Sequence, residues 1–273
     1  MSEPRLIVSF SKDDISNHLC HVIVDICVNA IAARGAFTIA LSGGSLPKFL
    51  AELTQVFDDK GVDPKLDCWH VILADERCVP SSDDDSNLKA LNDELFSVLA
   101  VPKSQIHGID ESSLEDVDAV ASAYESVVKS VLEKSGGSLD LAVLGFGPDG
   151  HTCSLFPDHA LLQETSKWVA GIADSPKPPP KRITLTLAVL CPEKTRHVIF
   201  CGAGSSKGPI LRSVFQSLDK STDEYAVPGG AVYKVTREDP PPYPCGMVTS
   251  SDSMTWIVDA EAMHQAKDAP SPY

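Results

Sequence analysis

The sequence predicts an α/β fold: Rossmann-like, with a mostly parallel sheet and helices on both faces. Three observations lead there. Short β-rich runs alternate with segments whose apolar residues recur at helical spacing. Several runs pass without a spacer into glycine-rich or charged turns, the places where open α/β sheets bind ligands. No internal repeat or long linker divides the 273 residues, so residues 1–273 read as a single domain with room for a small C-terminal lobe.

Taken in order, a strand over 5–10 leads to a helix carrying Ile15, Leu19, Val22, Ile23, Ile26 and Ala30 on one face, with Asp13 and Asp14 suited to its start. A strand over 37–41 follows, then one helix from Leu46 to about Gly61 that tolerates Pro47 in its first turn. After a strand over 70–74, a helix is expected over 87–99. Another opens at Ser113-Leu114-Glu115-Asp116, close to a capping box, and buries Val117, Val120, Tyr124, Val127 and Val131. Strands are expected over 139–144, 168–172, 182–187, 197–201 and 256–259, with Ile210, Leu211, Val214 and Leu218 marking a late helix. The proline-rich stretches 175–180 and 239–244 read as rigid, extended surface loops.

Composition narrows the function. Lys plus Arg number 23 against 38 Asp plus Glu, a formal net charge of −15. That field opposes attraction to nucleic acid or anionic lipid, so neither nucleic acid nor membrane is an expected partner, and an anionic ligand would need locally focused cations. The eight cysteines form no Cys-x-x-Cys pair and read as reduced, buried thiols. No basic region with a long apolar run opens the chain and no 18-residue apolar stretch is evident, which points to the cytoplasm. With no exposed apolar stripe, a monomer is expected.

Four turns carry candidate chemistry. Ser42-Gly43-Gly44-Ser45 lies between a strand and a helix, where converging amides and a helix start would favour an anion, although a plain tight turn has the same composition. Asp75-Glu76-Arg77 places three charges at a strand end; a solvated turn would also do so. Lys181 and Arg182 follow the proline run, and Lys207 follows a Gly-Ala-Gly-Ser-Ser turn at a helix start, where a lysine opposes the macrodipole unless an anion lies between them. A surface lysine is the simpler alternative.

The remaining turn, Gly145 to His151, formally matches G-x-G-x-x-G and leads on to Asp174, so a dinucleotide site competes here. Pro157 interrupts the helix such a site needs. In the alternative reading Asp149, separated from His151 by Gly150, orients an imidazole suited to general-base work near neutral pH. His151, Cys153 and His159 lack a fourth ligand and a recognised zinc spacing, so no metal is expected.

These segments fall in an order that resembles a known family. LSGGS, ADERCVP, SNLKALNDELF, LGFGPDGHTCSLFP, KRITLTL and GAGSSK, running from Leu41 to Lys207, are similar to the 6-phosphogluconolactonases, and residues 256–259 are family-like too. Their superfamily includes glucosamine-6-phosphate deaminase and shares a Rossmann-like fold without using a nucleotide. The resemblance implies hydrolysis of 6-phosphoglucono-δ-lactone, a small sugar-phosphate substrate, without metal or organic cofactor. It implies that Ser42, Gly43, Gly44, Ser45, Arg182 and Lys207 hold the phosphate, with Gly150 among the substrate-contacting positions. His151 would be the base, Asp149 its support and Arg77 a stabiliser of developing charge, with Asp75 and Glu76 positioning Arg77 or the sugar hydroxyls. Deaminases carry a glutamate five residues after the histidine and read Asp-Glu-Tyr at the strand end; Phe156 and Arg77 stand there instead. A non-catalytic sugar-phosphate sensor is the alternative of a different class.

Overall fold

The computed structural model describes residues 4–220 and 228–268. In chain order the elements are β1 (Arg5–Ser9), α1 (Lys12–Arg34), β2 (Phe37–Leu41), α2 (Leu46–Phe49), α3 (Leu53–Asp59), β3 (Trp69–Leu73), β4 (Asp75–Arg77), α4 (Asn87–Leu91), β5 (Ile106–His107), α5 (Val117–Lys134), β6 (Leu139–Gly145), β7 (Val169–Ile172), β8 (Arg182–Leu185), β9 (Thr195–Gly202), α6 (Gly208–Val214), β10 (Phe215–Lys220), β11 (Gly230–Arg237), α7 (Pro244–Met247), β12 (Ser253–Asp259) and α8 (Ala260–Asp268).

Local chemistry sets the helix starts. The Ser11 hydroxyl accepts from the Asp14 amide while the Asp14 carboxylate accepts from the Ser11 amide, closing a capping box on α1. Asp116, rather than Ser113, caps α5 by accepting from the Ala119 amide; Ser113 lies in a separate 3₁₀ turn. The helix expected from Leu46 to Gly61 is two short pieces, α2 and α3, broken after Phe49. That expected over 87–99 is α4 followed by one π turn over Asn92–Phe96. Leu218 belongs to β10, not to the late helix.

The main sheet has nine strands in the order β10-β11-β1-β12-β9-β6-β2-β3-β5. Neighbours are parallel from β1 through β5, and β11 pairs antiparallel with both β1 and β10. Among the described residues the late strands β10, β11 and β12 all join this sheet rather than forming a lobe of their own. The small second sheet comes from mid-chain: β4, β8 and β7 pair antiparallel. Strand β4 was invisible as a strand because its three residues are all charged, a composition that reads as a turn.

Helix α1 is long and apolar enough to cross a bilayer by length and composition, contrary to the sequence reading. In the fold its apolar residues Ile15, Leu19, Ile23 and Val24 are fully buried in the common core.

One polar group is buried among the starts of the central strands. Asp140 of β6, 0% exposed, accepts from the Thr38 amide at 2.9 Å and hydroxyl at 3.0 Å, from Arg34 at 2.6 Å and from Arg196 at 3.3 Å. It thereby joins β2, β6, β9 and the end of α1. Tyr124 of α5 makes a similar tie, its hydroxyl accepting from the Leu73 amide and donating to the His107 carbonyl.

Asp140→Ala leaves two arginines and a buried amide without their acceptor, and is expected to cost about 3 kcal/mol or more in urea unfolding. Tyr124→Phe, which orphans one buried amide, should cost about 1–3 kcal/mol in the same measurement.

Candidate active site

Strand β2 leads through α2 and α3 to β3 on one side of it, whereas β6 lies on the other side and leads on towards β9. The winding reverses between β2 and β6, and the carboxyl ends of these neighbours open a crevice there. It is a cavity of about 220 Å³.

Of the residues picked out from sequence, Ser42, Gly43, Gly44, Ser45, Asp75, Arg77, His151, Arg182 and Lys207 line the cavity. The helix after Ser45 is a single turn and adds little macrodipole, so what the first loop offers an anion is the glycine turn itself. Ser42 adds a buried hydroxyl, 5% exposed. A side chain at Gly43 would collide with Asn87, whose Oδ1 lies 1.8 Å from the position a Cβ would take.

Asp75 and Glu76 have different surroundings. Asp75 faces the cavity and accepts from the Ser154 hydroxyl at 2.8 Å. Glu76, 2% exposed, does not line the cavity; its carboxylate accepts from the Asn87, Leu88 and Arg77 amides and the Ser86 hydroxyl, capping α4. Burial raises its pKa despite these bonds. By fixing Asn87 it supports the first loop from behind.

Arg77 and Arg182 sit directly opposite each other in the β4–β8 ladder. Like charges in that relation repel, and both line the cavity, an arrangement that favours an anion between them. Arg182 is 3% exposed and also donates to the carbonyls of Lys177, Pro178 and Pro179 at 3.0, 2.8 and 2.9 Å. Lys207 donates to the Phe146 carbonyl, and burial, followed by the charge of Lys177, lowers its pKa.

His151 stacks on Phe156, ring centroids 5.0 Å apart, and its Nδ1 lies 2.5 Å from Asp149 Oδ1. Burial lowers its pKa from the usual 6.5 and outweighs the opposing pull of Asp149. Burial alone would raise the Asp149 carboxyl, but His151 and Lys177 hold it down at about 2. Asp149 and Gly150 do not line the cavity; Asp149 meets the imidazole at Nδ1. Gly150 has φ 80°, and a Cβ there would meet the Tyr243 ring at 2.5 Å, so this turn requires glycine.

The dinucleotide alternative fails on backbone. After Gly150 the chain turns back through a bridge between Thr152 and Leu155, and no helix opens. Among the described residues no group of three or more His, Cys, Asp or Glu is placed to share a metal. His159 pairs with Asp174 instead, at 3.2 Å.

Lys177 was missed. It lies in the proline-rich stretch read as surface loop, yet its ammonium is 3.0 Å from Asp149 Oδ2 and 3.0 Å from His151 Nδ1. The signal available was a single cation set among prolines just before the Lys181-Arg182 pair.

A family model described as glucosamine-6-phosphate isomerases/6-phosphogluconolactonase matches residues 11–256. The chain is 39% identical to the bovine 6-phosphogluconolactonase over 223 residues, 80% of this chain and 84% of that protein. It is 34% identical over 271 residues to the chloroplastic 6-phosphogluconolactonase 3 of Arabidopsis thaliana, 95% of this chain and 72% of that one. The solved 6-phosphogluconolactonase of Trypanosoma cruzi shares the fold at a TM-score of 0.74 and 24% identity, covering 98% of both chains. The winding reversal, the cation-lined crevice and these relatives agree: the chain belongs to the glucosamine-6-phosphate isomerase/6-phosphogluconolactonase family.

Proposed function

We propose that the chain hydrolyses 6-phospho-D-glucono-1,5-lactone to 6-phospho-D-gluconate, the lactone-opening step of the oxidative pentose phosphate pathway. The observation that carries the reading is a carboxylate-supported imidazole beside a cavity with three cationic side chains, Arg77, Arg182 and Lys207, in a chain 39% identical to a 6-phosphogluconolactonase. Phe156, which stacks on His151 where the deaminase pattern has a glutamate, supports the lactonase over the deaminase.

In the proposed mechanism the amides of Ser42 to Ser45 together with Arg182 and Lys207 hold the phosphate. Because Nδ1 faces Asp149, the free lone pair is on Nε2. Water attacks the lactone carbonyl while Nε2 takes its proton, and Asp149 stabilises the imidazolium that forms. Arg77 stabilises the tetrahedral oxyanion. When the ring C–O bond breaks, the proton passes from imidazolium to the leaving oxygen, and the new acid ionises to gluconate.

We place this activity in a reducing compartment, the cytoplasm, with support from eight unpaired and mostly buried cysteines. Reduced thiols are equally compatible with the chloroplastic setting named for the plant relatives. A monomer is proposed: among the described residues the exposed large hydrophobics, Phe10, Val28 and Val98, lie on separate segments.

With substrate generated in situ and spontaneous hydrolysis subtracted, His151→Ala should lower kcat by about 10²- to 10⁴-fold. Substrate binding without turnover in the unaltered protein would favour the sensor instead. Unphosphorylated gluconolactone should lose about 10²-fold or more in kcat/KM, since two or more charge-assisted hydrogen bonds disappear. Because His151 titrates below 6.5, activity should stay level as pH falls through 7 and decline only at a midpoint below 6.5. A midpoint above 6.5 would contradict the assignment of the base.

A further inference from the structure

We propose that Lys177 is a positioning residue for His151, an ammonium carried on the proline-rich strap that holds Asp149 in place and keeps the imidazole uncharged until it takes the proton from water. The inference rests on the reading of His151 as the general base.

The hydrogen-bonding roles follow from what each group can do. A carboxylate only accepts and an ammonium only donates. His151 Nδ1 lies 2.5 Å from Asp149 Oδ1, so this nitrogen carries the proton. The Lys177 ammonium, 3.0 Å from the same nitrogen, therefore has no lone pair to bind there. Its bond goes to Asp149 Oδ2, at 3.0 Å. The two carboxylate oxygens are divided between imidazole and ammonium, which fixes the plane of the carboxylate and with it the tautomer that leaves Nε2 free.

The strap is built to deliver this cation. Arg182 donates to three successive carbonyls, of Lys177, Pro178 and Pro179. The Ser175 hydroxyl accepts from the Lys177 amide and donates to the Lys177 carbonyl. Between these anchors the backbone of Lys177 is held on both sides, and its ammonium stands 6.0 Å from the centroid of the Phe156 ring on which His151 stacks.

The electrostatic consequence has a definite sign. Protonating His151 puts a second cation about 3 Å from the ammonium, which disfavours the imidazolium, whereas Asp149 favours it. Asp75 adds a weaker favourable pull from the start of β4, and Lys207 faces the Lys177–Asp149 pair from the turn before α6. Lys177 adds to burial in offsetting the carboxylate's effect, so Asp149 can orient the ring without keeping it protonated.

The test is an NMR titration of the His151 ring, its resonance assigned by comparison with His151→Ala, in the unaltered protein, Lys177→Gln and Lys177→Arg. The Lys177 side chain is 38% exposed, so neither change intrudes on the core. Lys177→Gln should raise the midpoint by roughly half a unit or more, and Lys177→Arg should keep it near the original value. The acid limb of the kcat/KM profile should move in the same direction. An unshifted midpoint in Lys177→Gln would overturn the proposal, and so would lost activity without a shift, which would make Lys177 a substrate contact only. Absence of lactonase activity in the unaltered protein would defeat the proposed function, while the ring titration would still decide whether Lys177 sets the charge of His151.

Discussion

The buried carboxylate of Asp140 sets the geometry on which the site depends. It is bonded to the backbone and hydroxyl of Thr38 on β2, to Arg196 on β9 and to Arg34 at the end of α1. Three neighbouring strands are thus tied near their amino ends, and parallel pairing carries that alignment along their length. A slip of one residue would turn every side chain to the opposite face. The loops that emerge at the far ends, with Ser42, His151 and Lys207, inherit their separations from this clamp.

Charge is arranged at two scales. The chain carries a formal −15, yet Arg77, Arg182 and Lys207 line one cavity and Lys177 lies beside His151. A distant anion meets a repulsive field, but within a Debye length of about 8 Å at physiological salt the local cations dominate. Their mutual repulsion is held in check by carboxylates behind them: Asp75 at the cavity wall and Asp149 against Lys177. The phosphate of the proposed substrate would complete this balance between Arg77 and Arg182 across the β4–β8 ladder.

Much of this was legible in the sequence, and the failures have physical causes. The strands of the parallel core are short apolar runs bounded by polar turns, so Phe37–Leu41 was found to the residue. The edge hairpin of β10 and β11 was missed because its residues mix polar and apolar types and because Leu218 continues the helical spacing of Val214. Among the cavity residues, those next to a strand end were readable because the fold always delivers such positions to one edge. Glu76 shares that position but is turned to cap α4, a choice made by a helix start eleven residues away. Lys177 escaped because its place depends on Arg182 gathering the strap's carbonyls, a contact with no local signature. The motif order also identified a family whose relatives agree with it over most of the chain.

The first strand is bordered on both sides by strands more than 200 residues further along: β1 (Arg5–Ser9) pairs with β11 (Gly230–Arg237) and with β12 (Ser253–Asp259), and Arg5 lies opposite Thr255. At a synthesis rate of about 5–20 residues per second, β1 is made on the order of tens of seconds before both of its partners. Its buried residues Leu6, Ile7 and Val8 are an exposed edge for that whole interval. Pairing of β1 therefore waits, by topology, on the strands made latest in this sheet.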